Sequence, residues 1–174
     1  SYYLPRLSKG LEVPCFGLTG ERSGSDAASM RDIGIVEKGM HNGEEVLGIR
    51  VSWDKRYITL APVATLLGLA FYLRDPDGLL GDKEDIGISI ALVPRDHPGC
   101  VMGYRHDPAQ GAFMNGPTWG EDVFIPMSFI IGGQEMLGQG WRMLMEQLSV
   151  GRAISLPASG TTAAKASLRF TAAY

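Results

Sequence analysis

Leu18-Thr19-Gly20-Glu21-Arg22-Ser23-Gly24-Ser25-Asp26 is the stretch on which the reading of this chain turns. It follows an apolar, strand-like run, Pro14-Cys15-Phe16-Gly17-Leu18. A strand that breaks into Thr, Gly and Ser turns several backbone N–H groups toward one concave side. Such a turn can hold a phosphate or another anion without a charged side chain. Gly24 lets a ligand approach the backbone closely. Ser25 adds a hydroxyl donor, and Asp26 can brace the turn by accepting local N–H bonds. The spacing is neither G-x-x-x-x-G-K-S/T nor G-x-G-x-x-G, and on chemistry alone an ordinary surface turn is the alternative reading.

Outward from this stretch, the chain reads as short strands and then as helix. Candidate strands are Val13–Leu18, Ile33–Glu37, Val46–Val51, Arg56–Thr59, Thr65–Leu73, Ile86–Val93, Val101–Tyr104 and Asp122–Ile125. The wholly apolar Thr65–Leu73 run reads as a strand buried on both faces. His41-Asn42-Gly43 is a hairpin turn, because Asn-Gly accepts positive φ. Asp75-Pro76-Asp77-Gly78 and Asp96-His97-Pro98-Gly99 are further turns. This spacing predicts an antiparallel β-barrel or sandwich. After Gly132-Gly133 the pattern changes. Trp141, Leu144, Met145 and Leu148 fall at i, i+3, i+4 and i+7, one face of a helix, and a second helical pattern starts near Arg152, with Pro157 expected in its first turn. The expected division is residues 1–10, the end of a helical region; 11–133, a β domain; and 134–174, the start of a helical domain.

The 174 residues suffice for a domain with a sizeable core. With 45% apolar and 20% charged residues the composition is globular. A net charge of −3 without basic runs gives no electrostatic case for nucleic acid or an anionic membrane surface. Cys15 and Cys100 form no metal-ligand pattern and read as reduced thiols of a cytoplasmic protein. No apolar run is long enough for a transmembrane helix. The chain opens without Met and closes inside an Ala-rich helical pattern, so it is expected to be part of a longer protein. His41, His97 and His106 lack a partnered Ser or Cys motif, and the eight Met residues read as core fillers.

The opening stretch resembles the first signature of the acyl-CoA dehydrogenases, commonly Leu-Thr-Glu-Pro-x-Ala-Gly-Ser-Asp. Thr19, Gly24, Ser25 and Asp26 match it in register; Gly20 and Glu21 stand where the family has Glu and Pro. These departures resemble the large bacterial fatty-acid β-oxidation branch. Lys55-Arg56-Tyr57-Ile58-Thr59-Leu60 is similar to a second segment, Lys-x-Trp-Ile-Thr-Asn, with Tyr57 for Trp and Leu60 for Asn. Glu121–Pro126 with Ile131-Gly132 resembles the family's strand-to-helix crossover, and Gly138-Gln139-Gly140-Trp141 the opening of its next helix. Ser149-Val150-Gly151-Arg152 overlies an Asp-x-x-Arg segment, with Ser149 replacing Asp.

The resemblance implies an FAD-dependent acyl-CoA dehydrogenase, of which this chain is the middle β domain plus the first helices of the C-terminal helical domain. It implies oxidation of an acyl-CoA thioester to the trans-2-enoyl-CoA. Flavin contacts would come from Phe16, Leu18, Thr19, Gly24, Ser25, Tyr57, Ile58 and Thr59, with the Tyr57 ring packing on the flavin and the Thr59 hydroxyl bonding its N5 edge. Acyl-CoA contacts would come from Ser25, Ser149 and Arg152. As bland alternatives, Tyr57, Ile58 and Thr59 are good strand formers, and Arg152 suits a helix-surface ion pair. No residue here matches the family's catalytic base: Gly151 stands at one of its locations, Glu146 reads as a solvated helical Glu, and the base is expected beyond Tyr174. An electron-transfer flavoprotein as acceptor and a homo-oligomeric parent are implied in the same way. An acyl-CoA oxidase or flavin monooxygenase on the same scaffold, or a non-catalytic β-barrel interaction module, are the alternatives.

Overall fold

The computed structural model describes residues 2–174. The chain divides into two compact units, one ending at Gly140 and the other Trp141–Tyr174. The first opens with a short helix, α1 (Tyr3–Ser8), which stops where Gly10 takes φ +67°. It continues with the strands β1 (Pro14–Gly17), β2 (Ile33–His41), β3 (Glu44–Thr59), β4 (Leu66–Arg74), β5 (Asp85–Pro94), β6 (Val101–Met102) and β7 (Asn115–Pro126).

These strands form one curled sheet in the order β5-β4-β2-β3-β7-β6, with β1 sharing an edge of β4 with β2. β4 is the centre. β5 pairs antiparallel along one edge, while β1 takes Leu66–Leu69 and β2 takes Tyr72–Arg74 on the other. Leu66 through Phe71 are all buried, as an apolar strand with neighbours on both edges and cover on both faces requires. Around it Val36, Ile49, Val51, Trp53, Val93, Val123 and Ile125 complete the core.

The barrel-type β architecture agrees with the sequence pattern, with one correction. The sheet is mixed rather than antiparallel throughout, because β1 and β2 both run parallel to β4. Parallel neighbours need a crossover, and β3 provides it: the chain turns at Asn42 (φ +53°) and Gly43 (φ +86°), runs back along β2, and returns to lay β4 on the far edge of β2.

Two elements are longer than their sequence signals. The expected strands Val46–Val51 and Arg56–Thr59 are one strand, β3. Its polar middle, Ser52-Trp53-Asp54-Lys55, reads as a break, yet Trp53 and Lys55 both point inward. β7 begins at Asn115 rather than Asp122. Gly120 looks like a turn residue but is a packing residue: a Cβ there would lie 2.3 Å from the Trp53 ring. The paired strands β3 and β7 slip register between Val51 and Trp53 and again between Lys55 and Ile58. At these bulges Asp122 (φ +53°) and Tyr57 (φ +58°) adopt left-handed backbone.

After β7 the chain turns back onto β5. Gly138 (φ +73°) and Gly140 have no room for a side chain, since added Cβ atoms would meet Ile86 O at 2.3 Å and Ile88 O at 2.7 Å. The Gly138 N–H donates to Ser89 Oγ at 2.9 Å. This is the physical need behind Gly138-Gln139-Gly140.

The second unit is a single helix. α2 (Gly140–Ala173) runs 34 residues with Pro157 in its interior, not in the first turn of a separate helix. Proline there removes the donor to the Ala153 carbonyl. Hydroxyls around it bond back to carbonyls four residues earlier, Ser159 to Ser155 and Thr161 to Pro157, each at 2.9 Å. No helix among the described residues is long and apolar enough to cross a membrane.

Candidate functional site

The opening stretch and the second segment lie side by side. Past β1, the Thr19 carbonyl accepts the Arg56 N–H at 3.0 Å, and Gly20 bridges to Lys55. Gly20 also donates to Ser23 O at 3.2 Å, closing the turn on itself. Its N–H is therefore engaged inside the turn rather than offered to a ligand.

Lys55 ties these strands together. Its side chain is 0% exposed, with Nζ 2.5 Å from Asp32 Oδ2 and donating to the Leu18 carbonyl at 3.1 Å. Asp32 is 8% exposed, and its Oδ1 accepts the Asp54 N–H at 3.0 Å. Burial pushes the Lys55 ammonium below its ordinary pKa, and the Asp32 carboxylate opposes that shift. One carboxylate thus satisfies both the ammonium and the backbone of β3, as a buried charge demands. Neither Asp32 nor Lys55 is evident as a site residue in the sequence. The available signal is an isolated Lys at an inward position of a strand, which needs a buried partner.

Two residues further on, the strand faces solvent. The bulge turns Tyr57 outward to 61% exposure, and its ring sits 5.1 Å from that of His106. His106 is fixed by buried Asn115 through its backbone N–H (2.9 Å to Asn115 O) and through Nε2 against Asn115 Oδ1. Thr59 is exposed, whereas Ile58 is 3% exposed in the core and paired with Gly116 of β7, so the Ile58 side chain is out of reach of a ligand. Tyr57, His106, Arg56, Trp119 and Glu121 border an open groove of about 580 Å³. A neighbouring groove of about 380 Å³, bordered by Gly20, Arg22, Ser23 and Arg31, shares Trp53, Asp54 and Gly120 with it.

The remaining candidates are placed as follows. Phe16 is half-buried on β1 over Gly68, where an added Cβ would meet its ring at 3.0 Å. Leu18 and Thr19 are half-buried beside Lys55 and Arg56. Gly24, Ser25 and Asp26 are exposed. The brace expected of Asp26 is made by its backbone: its carbonyl accepts from Ser29 N at 3.3 Å and Ser29 Oγ at 3.0 Å, and its carboxylate makes no capping bond. Ser149 and Arg152 belong to the second unit and are exposed on α2. Glu146 pairs with Arg142 one turn away at 2.7 Å. No group of His, Cys, Asp and Glu among the described residues is arranged to hold a metal.

The sheet carries two adjoining open grooves beside the clamped turn, and similarity to known proteins bears on what this arrangement is. No family model matches the chain. It is 29% identical over 178 residues to an acyl-CoA dehydrogenase of Bacillus subtilis, covering 99% of this chain and 41% of that protein. It is 56% identical over 101 residues to Protein HemX of Proteus mirabilis, covering 58% and 59%; that name states no activity. An acyl-CoA dehydrogenase structure from Geobacillus kaustophilus superposes with a TM-score of 0.66 at 24% identity, over 87% of this chain and 36% of that one. A glutaryl-CoA dehydrogenase from Mycobacterium smegmatis in complex with FADH2 gives 0.56 at 26% identity, over 75% and 29%. The chain has the fold of the middle β domain of the acyl-CoA dehydrogenases and the opening of the helical part that follows, and it is similar to members of that family in sequence. It spans 41% and 59% of the lengths of these two curated relatives.

Proposed function

We propose that this chain is the flavin- and acyl-CoA-contacting part of an FAD-dependent acyl-CoA dehydrogenase that converts fatty acyl-CoA thioesters to trans-2-enoyl-CoA in β-oxidation. The observation that carries this reading is the antiparallel contact between Thr19-Gly20 and Lys55-Arg56, which joins two stretches distant in sequence into one surface. In this reading the division is 1–10, 11–133 and 134–174, with the β domain supplying the cofactor contacts.

The residues present suit a flavin. An exposed aromatic ring held by a bulge suits a planar cofactor, and Thr59, two residues further along β3, offers an exposed hydroxyl. Bound FAD would supply hydride acceptance, the step that no amino-acid side chain performs. Tyr57 would wall the ring, Thr59 would orient its edge, and Leu18 and Thr19 would line it from the turn. Gly24 and Ser25 lie on the exposed part of the turn, where backbone and hydroxyl donors suit phosphate oxygens. The carboxylates nearest this surface, Asp54 and Glu121, are exposed, and a base for an α-proton needs a water-poor setting. The base is therefore assigned outside these residues, with Ser149 and Arg152 as acyl-CoA contacts and an electron-transfer flavoprotein as acceptor. A homo-oligomer in the cytoplasm completes the proposal.

The test is the visible spectrum of the full-length protein before and after anaerobic addition of a long-chain acyl-CoA. Flavin bands that bleach on addition support the reading. A colourless protein that takes up no FAD overturns it, and rapid reoxidation by oxygen would make it an oxidase or monooxygenase.

A further inference from the structure

Gly20 and Asp32 occupy one site. A Cβ built on Gly20 would lie 3.8 Å from Asp32 Oδ2, 3.1 Å from Ser23 Oγ and 3.3 Å from Asp54 O. A glutamate at position 20 would therefore grow toward the Lys55 ammonium, into the space that the Asp32 carboxylate and the Ser23 hydroxyl fill. Position 20 is Glu, and position 23 is Ala, in the signature that this turn resembles. Both departures are thus local to one buried cation. A fully buried ammonium needs a carboxylate from somewhere. Here the carboxylate comes from the start of β2 rather than from the turn.

We infer that Asp32 is a positioning residue that takes over the duty of a turn carboxylate, clamping Leu18–Gly20 against Lys55–Tyr57 through Lys55. Its contacts reach both partners: Oδ2 on Lys55, whose Nζ also holds the Leu18 carbonyl, and Oδ1 on the Asp54 N–H. Ser23 is part of the same exchange, being 3% exposed and occupying the room that a side chain at position 20 would need. The clamp itself requires no cofactor; only its consequence for flavin binding rests on the function proposed above.

The experiment is hydrogen exchange of the Arg56 and Gly20 amides in the full chain without cofactor, since these donate to Thr19 O and Ser23 O. Asp32→Ala is expected to speed exchange at both amides by about tenfold or more. The triple variant Gly20→Glu/Ser23→Ala/Asp32→Ala, which returns a carboxylate to the turn, is expected to recover protection to within about threefold of the parent. The control Gly20→Gln/Ser23→Ala/Asp32→Ala has the same volume without the charge and is expected not to recover. If Asp32→Ala does not fold, the triple variants decide by folding: the Glu form folds and the Gln form does not. Unchanged exchange in Asp32→Ala, or equal behaviour of the Glu and Gln forms, overturns the inference. FAD uptake by the same proteins is read separately. A recovered clamp with no FAD binding in the parent leaves the clamp standing and removes the flavin reading.

Discussion

Lys55 and Tyr57 sit two residues apart on β3 in opposite surroundings. Lys55 is 0% exposed and held by Asp32, whereas Tyr57 is 61% exposed with its ring against that of His106. A regular strand would put both on one face. The slipped register between Lys55 and Ile58, with Tyr57 at φ +58°, turns the second one out. The bulge thus lets one short segment face two ways: its first half anchors the neighbouring turn, and its second half exposes a ring and a hydroxyl. The buried anchor and the exposed surface are separated by a backbone device rather than by distance, so substitutions on either side of the bulge should split cleanly.

The largest effect is expected on the buried side. Lys55→Met strands the Asp32 carboxylate, and Asp32→Ala strands the ammonium; breaking a buried pair in this way costs roughly 3–5 kcal/mol. Chemical denaturation should register that loss for either variant. The combined Lys55→Met/Asp32→Leu protein should regain much of it, since an apolar pair of similar volume is often neutral. If both single variants lose less than about 1 kcal/mol, the pair is no anchor. Gly138→Ala comes next. Its backbone is left-handed at φ +73° and the new methyl would meet Ile86 O at 2.3 Å, so about 2–4 kcal/mol of destabilisation is expected from strain and overpacking together.

On the exposed side the signs reverse. Tyr57→Gly should hold stability or raise it by up to about 1 kcal/mol, because glycine carries no penalty at positive φ. The same variant should weaken FAD uptake by the full-length protein by about tenfold or more if the ring walls the flavin. Unchanged uptake would reduce Tyr57 to a strand residue. Histidine substitution at the neighbour separates the two roles further: His106→Ala removes the ring packed on Tyr57 and should affect uptake more than melting.

How much of this was legible in the sequence follows the same line. β4 was readable because six consecutive apolar residues admit few other fates, and the Asn42-Gly43 hairpin because its backbone needs positive φ. The middle of β3 was not, since Ser52-Trp53-Asp54-Lys55 has turn-like polarity and its inward Lys depends on a carboxylate more than twenty residues away. The start of β7 was hidden for a related reason: Gly120 serves the Trp53 ring rather than a turn. In α2, tolerance of Pro157 inside a continuous helix left no local trace. At the site, the pattern match picked out Thr19, Tyr57 and Thr59, which are accessible or nearly so, but it also picked Ile58, whose side chain is buried. Asp32 lies outside both matched stretches, and only the fold brings it between them.

The smallest effect concerns pH and uses the thiols as probes of the buried layer. Burial pushes Cys15 up to about 12 and Cys100 up to about 11, from an ordinary 9.0. A folded thiol that keeps its proton while the unfolded chain loses it adds stability that is complete below pH 9. That contribution is then lost progressively as pH rises through 11 and 12. Denaturation midpoints measured from pH 8 to 11 should therefore fall with pH, and Cys15→Ala/Cys100→Ala should flatten the slope. Alkylation at pH 8 should be slow for both thiols in the folded chain and fast in denaturant. Cys15 lies on β1, directly before the turn that Lys55 holds. Its labelling should quicken more than that of Cys100 when Asp32→Asn loosens the clamp, and equal acceleration of both would mean that the anchor stabilises the sheet as a whole rather than this turn.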